Sequence, residues 1–255
     1  MTWLRDWSHG EDAVLRVLCL PPAGASAHIY RRWAQLLPRE IGVVAAELPG
    51  HGSRLAEPPV TTMEAILGPL CEEAATLTDL PLVVFGHSMG ATLGAELCRT
   101  MRRELGGAPQ MLIAAACEAP RAVPRKDYAP WLTEQGTLDF LFRMGGTPDE
   151  LLANDEYLRM LLPVLRADLT VLAGPRPEDD RPLGCPVRVY LGERDSGVKP
   201  ERAAEWRAES NGDYAVRTFT AGHFFVQEQV DDVLTQLCAD LSPLLSGRKV
   251  PLPHS

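Results

Sequence analysis

Four apolar residues, Leu82-Val83-Val84-Phe85, run into Gly86-His87-Ser88-Met89-Gly90 and are followed at once by residues with helical spacing: Ala91, Thr92, Leu93, Ala95, Glu96, Leu97 and Cys98. A short continuous apolar run closed by glycine reads as a strand buried on both faces, and a strand that feeds a helix within a few residues forces a sharp turn. The two glycines lack a Cβ, so the backbone can fold that tightly and hold the oxygen of the serine between them out at the carboxyl end of a sheet. The same rhythm runs through the chain. Val14 to Leu20, Gly42 to Glu47, Leu82 to Phe85, Met111 to Cys117, Val187 to Leu191 and Ala215 to Phe219 read as strands. Ile29 to Leu37, Met63 to Leu77, Thr92 to Glu104, Pro200 to Glu209 and Val226 to Leu245 read as helices. Near-continuous apolar strands separated by helices predict an α/β fold, with a mostly parallel central sheet flanked by helices.

No linker composition, internal repeat or low-complexity segment divides the 255 residues, so the expectation is one domain over 1–255. The net charge of −9 argues against nucleic acid and against an anionic membrane surface as partners. No apolar run approaches membrane-spanning length and the first residues lack a secretory pattern, which points to the cytoplasm. The six cysteines have no close pair at metal-ligand spacing, so they are expected to be reduced core residues.

One stretch breaks the rhythm. About seventy residues between the strands ending near Cys117 and starting near Val187 carry helical patterning and no strand, far longer than an ordinary connection. Pro120, Pro124 and Pro130 lead in, and Pro175, Pro177 and Pro182 lead out. The reading is a helical lid inserted over 120–182, whose apolar residues, Phe140, Phe142 and Met144 among them, line a substrate chamber above Ser88. The alternative is a set of extra helices that completes the core.

A serine hydroxyl is a poor nucleophile until a base takes its proton, and the base works best when a third group fixes its tautomer. In an α/β-hydrolase these partners follow in the order acid, then histidine, at the ends of later strands. Asp195 follows the strand that exits at Gly192 and is the expected acid, with Glu193 the alternative; Asp179 and Asp180 lie in a proline-flanked acidic stretch and are poorer candidates. His223 follows Gly222 after the last strand and is the expected base. His87 is expected to be structural beneath the turn, and His51 to shape the glycine-rich loop Leu48 to Arg54. No role is assigned to His9, His28 or His254. The oxyanion of a tetrahedral intermediate needs two backbone donors. Met89 supplies one at a helix N-terminus, and Ala23, in the loop after the first of these strands, the other.

At this point the residues match a family. Leu20-Pro21-Pro22-Ala23-Gly24-Ala25-Ser26-Ala27, Leu48-Pro49-Gly50-His51-Gly52-Ser53-Arg54, Phe85 to Ala91, Gly145-Gly146-Thr147-Pro148, Pro163 to Asp168 and Gly222-His223-Phe224-Phe225 stand in the order of its motifs. The chain resembles the stand-alone type II thioesterases that accompany modular polyketide and nonribosomal peptide synthases. It departs from them at Glu118-Ala119-Pro120, where an arginine is common, at Val171 to Pro175, and at Gly192-Glu193-Arg194-Asp195. The resemblance implies an α/β-hydrolase that frees stalled acyl groups from the phosphopantetheine arm of an acyl carrier protein and needs no metal and no bound cofactor. Ser88 would be nucleophile, His223 base, Asp195 its partner, and the Met89 and Ala23 amides the oxyanion hole. Because carrier proteins are usually acidic, a basic docking face is expected from Arg31, Arg32, Arg121, Arg125 and Lys126. Rival readings are a chain-releasing thioesterase, a general carboxylesterase and a silent acyl-carrier-binding protein.

Overall fold

The strands all form, and in the computed structural model they pair into one sheet of seven in the order β1-β3-β2-β4-β5-β6-β7. The structure describes residues 2–179, 181–210 and 212–245; Asp180, His254 and the side chains of Glu11, Arg125 and Lys126 lie outside the described residues. Strands β2 (Leu15–Leu20), β3 (Ile41–Ala46), β4 (Leu82–His87), β5 (Met111–Ala115), β6 (Val187–Gly192) and β7 (Tyr214–Phe219) run parallel. The edge strand β1 (Leu4–Asp6) is antiparallel to β3, Leu4 opposite Ala46. It was not expected from the sequence, since three residues with one aliphatic side chain carry no strand signal.

The continuous apolar runs are explained by two cores. Leu18 and Leu20 of β2 join Val44, Val84 and Leu112 on one face; Val17 and Cys19 join Val43, Phe85 and Ile113 on the other. Alternate side chains of a strand point to opposite faces, so a strand covered on both sides must be apolar throughout. Helix α1 (Trp33–Leu36) packs on the second face; α2 (Met63–Ala75) and α3 (Met89–Leu105) pack on the first. The expected helix Ile29 to Leu37 is broken into a 3-10 turn, Ala27–Tyr30, and α1. The Tyr30 hydroxyl donates to the Leu20 carbonyl at 3.1 Å, and the Tyr30 and Trp33 rings meet edge to face, which fixes the chain in the split form.

Between β5 and β6 come a 3-10 helix (Arg125–Leu132), α4 (Glu134–Met144), α5 (Asp149–Leu152) and α6 (Asp155–Ala173), with no strand among the described residues. Side chains start two of these helices: Thr133 accepts from the Gly136 amide at 3.0 Å and Asn154 from the Tyr157 amide at 3.0 Å. Helices α7 (Pro200–Ala204) and α8 (Trp206–Glu209) follow β6; α9 (Phe225–Glu228) and α10 (Val230–Leu245) follow β7, each pair replacing one expected helix. The strand order reverses about β2, because β3 lies to one side of it and β4 to the other. A crevice at the carboxyl ends of β2 and β4 is where such sheets bind ligands.

Candidate active site

Ser88 stands between β4 and α3 with φ 55° and ψ −115°, a conformation that costs a non-glycine residue of order 1–3 kcal/mol. The surrounding backbone imposes it: the Ser88 amide donates to the Ala115 carbonyl at 2.8 Å, and its carbonyl accepts from Ala91 at 2.9 Å. The flanking glycines are needed for close approach. A Cβ on Gly86 would lie 2.3 Å from the Gly90 carbonyl oxygen, and one on Gly90 would lie 2.0 Å from that of Leu20. Absent side chains thus let α3 sit directly on the end of β2.

His223, between β7 and α9, reaches both partners. Its Nε2 is 2.9 Å from Ser88 Oγ and its Nδ1 is 2.8 Å from Asp195 Oδ2. The Asp195 carboxylate is buried, and its other oxygen accepts from the Gly197 amide at 2.8 Å. Glu193 is exposed and makes no such contact. His87 lies beneath the turn: Gln227 donates to its Nδ1 at 3.4 Å, leaving Nε2–H to donate to the His223 carbonyl at 2.9 Å. Burial, then the neighbouring His223, pushes its pKa down to about 3, so it serves as a neutral strut. His9 is bonded to the Ala34 carbonyl at 2.6 Å, and His28 is half exposed beside Glu47.

The loop after β2 makes a turn closed by the Ala25 amide on the Pro22 carbonyl, 3.1 Å, with Gly24 at φ 76° in the position that favours glycine. Buried carboxylates hold it at two amides. Glu47 accepts from Ala27 at 3.1 Å and Asp168, from α6, accepts from Gly24 at 2.7 Å. The same Asp168 oxygen is 3.0 Å from Nε2 of His51, whose Nδ1 donates to the Pro49 carbonyl at 3.1 Å. Burial opposes a charge on His51, but the Asp168 carboxylate, the Pro49 carbonyl and Glu47 together outweigh it and raise its pKa. The amides of Ala23 and Met89 make no hydrogen bond among the described residues.

A cleft of about 220 Å³ opens on Ser88 and His223. Tyr128, Trp131, Phe140, Met144 and Leu172 line it from the helical segment. The expected apolar chamber is therefore present in part, but one wall carries charge: Glu118, Asp127, Arg143, Lys199 and Arg202. Arg202 spans the two carboxylates, 3.3 Å from Glu118 and 3.0 Å from Asp127, and Glu118 also accepts from the Lys199 amide at 2.8 Å. Glu118 stands where the resemblance led one to expect arginine, and here it anchors that wall. Cys117 also lines the cleft, but burial pushes its thiol up to about 11, so it stays protonated and is a poor rival to Ser88.

Residues 15–241 match the family model of the thioesterase domain. The chain belongs to the thioesterase family. The gramicidin S biosynthesis protein GrsT of Aneurinibacillus migulanus is 31% identical over 96% of both chains. The type II thioesterase BorB of the borrelidin cluster superposes with a TM-score of 0.82 at 30% identity, covering 94% of this chain and 97% of BorB. RedJ, a thioesterase of the prodiginine pathway in Streptomyces coelicolor, gives 0.80 at 32% identity, covering 90% and 86%. The thioesterase has the α/β-hydrolase fold expected of its sequence.

Of the site residues expected for this thioesterase, Ser88, His223 and Asp195 come together in one hydrogen-bonded chain. Phe140 and Met144 line the cleft; Phe142 does not, and is 54% exposed. The correction follows from helix geometry: four residues bring Met144 back to within about 40° of Phe140, whereas two residues put Phe142 about 200° away. Asp179 is not a loose solvated carboxylate but is paired with Arg102 and Arg181, which hold it well below the usual range, remote from Ser88. Arg121, assigned to a docking face, instead bonds the Arg181 carbonyl at 3.2 Å and lies 3.5 Å from Glu209; Arg31 and Arg32 are exposed. The links from Asp168 to His51 and Gly24 were missed. Nothing in a sequence separation of 117 or 144 residues signals them. All six cysteines are free thiols, and among the described residues no group of three or more His, Cys, Asp or Glu is placed to hold a metal ion. No helix among the described residues is long and apolar enough to cross a membrane.

Proposed function

We propose that this thioesterase is a serine hydrolase of the type II, editing kind, removing stalled or aberrant acyl groups from the phosphopantetheine arm of acyl carrier proteins in polyketide or nonribosomal peptide synthesis. A cytoplasmic location belongs to the same reading. The observation that carries it is the chain Ser88–His223–Asp195 at the mouth of a cleft, in a fold whose relatives include type II thioesterases. His223 Nε2 takes the proton of Ser88 as Oγ attacks the thioester carbonyl, while Asp195 keeps Nδ1 protonated and balances the imidazolium. The amides of Met89 and Ala23 hold the oxyanion. Collapse releases the pantetheine thiol with the His223 proton; water, deprotonated by His223, then hydrolyses the acyl–Ser88 ester and frees the acid.

The segment 120–182 acts as a lid within a single domain, and its Phe140 and Met144 contact the acyl group. A cleft of about 220 Å³ is below the ~300–1,000 Å³ of sites for drug-sized ligands, which suits short acyl groups. The test is hydrolysis of a panel of acyl carrier thioesters, matched against oxygen esters. Broad turnover of short acyl groups with slow ester cleavage is expected, and Ser88→Ala should lose about 10⁴-fold or more in kcat. Acyl release that survived Ser88→Ala would overturn the mechanism; one dominant long chain would favour product release over editing.

A further inference from the structure

We propose that Asp168 is a positioning residue for the reaction: a buried carboxylate, delivered by α6, that sets the loop carrying the Ala23 amide and so couples the helical segment to the oxyanion hole. The inference rests on the proposed function and adds to it a residue that does not touch substrate.

Helix α6 meets the loop with one face. Leu161, Leu165 and Asp168 lie four and three residues apart, so they share a side of the helix. A Cβ on Gly24 would lie 3.3 Å from Leu161 and 3.6 Å from Leu165, which shows how closely that side covers the turn. At the end of the stripe Asp168 Oδ2 accepts from the Gly24 amide at 2.7 Å. Gly24 is the residue after Ala23 in the turn closed by Ala25 and Pro22, so a shift of the Gly24 amide rotates the peptide units beside it. Glu47, at the end of β3, fixes the far end of the same loop through Ala27. The loop is thus pinned at one end by the sheet and at the other by the lid.

An isolated carboxylate as buried as Asp168 would be expensive, and His51 offsets it. Both ring nitrogens of His51 face oxygen acceptors, Asp168 Oδ2 at 3.0 Å and the Pro49 carbonyl at 3.1 Å, an arrangement that favours the doubly protonated ring and raises its pKa. His51 thus gives the buried Asp168 carboxylate a hydrogen-bonding partner beside the Gly24 amide, and a charge-assisted acceptor holds an amide more tightly than a neutral one. His51 and Asp168, in two of the motif segments, therefore act together on a third, the loop of Ala23.

Three measurements on the full chain test this: kcat and KM for a short acyl-pantetheine thioester, the affinity of an alkyl boronic acid that adds to Ser88 as a tetrahedral mimic, and thermal melting. Asp168→Ala is expected to lower kcat about 10- to 100-fold with KM moved less than about threefold, because displaced donors lose strength only where the oxyanion forms. Boronate affinity should fall by the same factor. Asp168→Asn, which keeps an acceptor for Gly24, should recover part of both. An Asp168→Ala enzyme within about twofold of the parent in kcat, or one whose kcat falls while boronate affinity holds, overturns the role. If Asp168→Ala does not fold, Asp168→Asn decides: parallel losses of about threefold or more support it, and smaller ones overturn it. Ser88→Ala, run beside these, separates the two proposals. Hydrolysis that persists in it removes the mechanism itself, whereas an essential Ser88 with an inert Asp168 removes only the positioning role.

Discussion

The serine turn and the helical segment above it are held in place by different means. Around Ser88 the contacts are backbone to backbone: glycines at 86 and 90 allow approaches that a Cβ would block, and main-chain bonds from Ala115 and Ala91 hold the strained residue. In 120–182 the contacts to the body are side chains: Arg202 bridging Glu118 and Asp127, Asp168 reaching Gly24, aromatic and aliphatic groups over a cleft. A backbone-built site keeps its geometry whatever the neighbouring side chains are, which suits the reacting atoms. A wall built from side chains can be altered one residue at a time, which suits the choice of acyl group.

The contrast breaks first at Gly90. Placing a methyl 2.0 Å from the Leu20 carbonyl oxygen leaves no flexible atom to yield, so α3 must move off the end of β2. Gly90→Ala should destabilise the protein by about 3 kcal/mol or more and abolish most activity. Urea unfolding at 25 °C and thioester hydrolysis would measure the two effects. A variant as stable and active as the parent would show that the turn tolerates what its geometry forbids.

Gly146 tests whether the helical segment touches the reaction from the other side. It has φ 81°, and a Cβ there would lie 2.4 Å from the ring of Phe224, the neighbour of His223. An aromatic side chain can swing where a carbonyl cannot, so Gly146→Ala should fold with a loss of about 1–2 kcal/mol from its left-handed backbone. Phe224 displacement should lower kcat about tenfold by disturbing His223, a smaller effect than at Gly90. Steady-state kinetics beside a thermal melt resolve the two; unchanged kcat would mean that the helical segment and His223 are mechanically independent.

What the sequence made legible follows the same division. The strands could be read because burial on both faces makes them continuously apolar, as in Leu82 to Phe85, and Ser88, His223 and Asp195 could be proposed because each stands after a strand within three residues of a glycine. These are local signals. The edge strand Leu4–Asp6 could not be read, for its pairing with β3 uses backbone groups that every sequence has. The charged wall of the cleft was hidden for another reason: Glu118, Asp127 and Arg202 are drawn together only by the packing of the helical segment on the sheet. Asp168 and His51 belong to that class as well. Both stood in recognisable motifs, but the bond between them depends on how α6 lies across the loops.

The smallest effect discriminates most sharply within one helix. Phe140 faces the cleft and packs on Trp131 with ring centroids 5.8 Å apart, whereas Phe142 faces outward from the opposite side of the helix. Truncating an exposed side chain changes stability by no more than about 0.5 kcal/mol, so Phe142→Ala should match the parent in melting and in acyl preference. Phe140→Ala lengthens the room beyond Ser88 by the size of a ring. Room for about one further methylene in an apolar pocket is worth about 1–3 kcal/mol, so the ratio of kcat/KM for an eight-carbon over a three-carbon acyl group should rise about tenfold. Competition between the two thioesters in one tube reads that ratio directly. Equal ratios in both variants would mean that the acyl chain avoids Phe140 and lies along the charged side, where Lys199 and Arg202 would then set the preference.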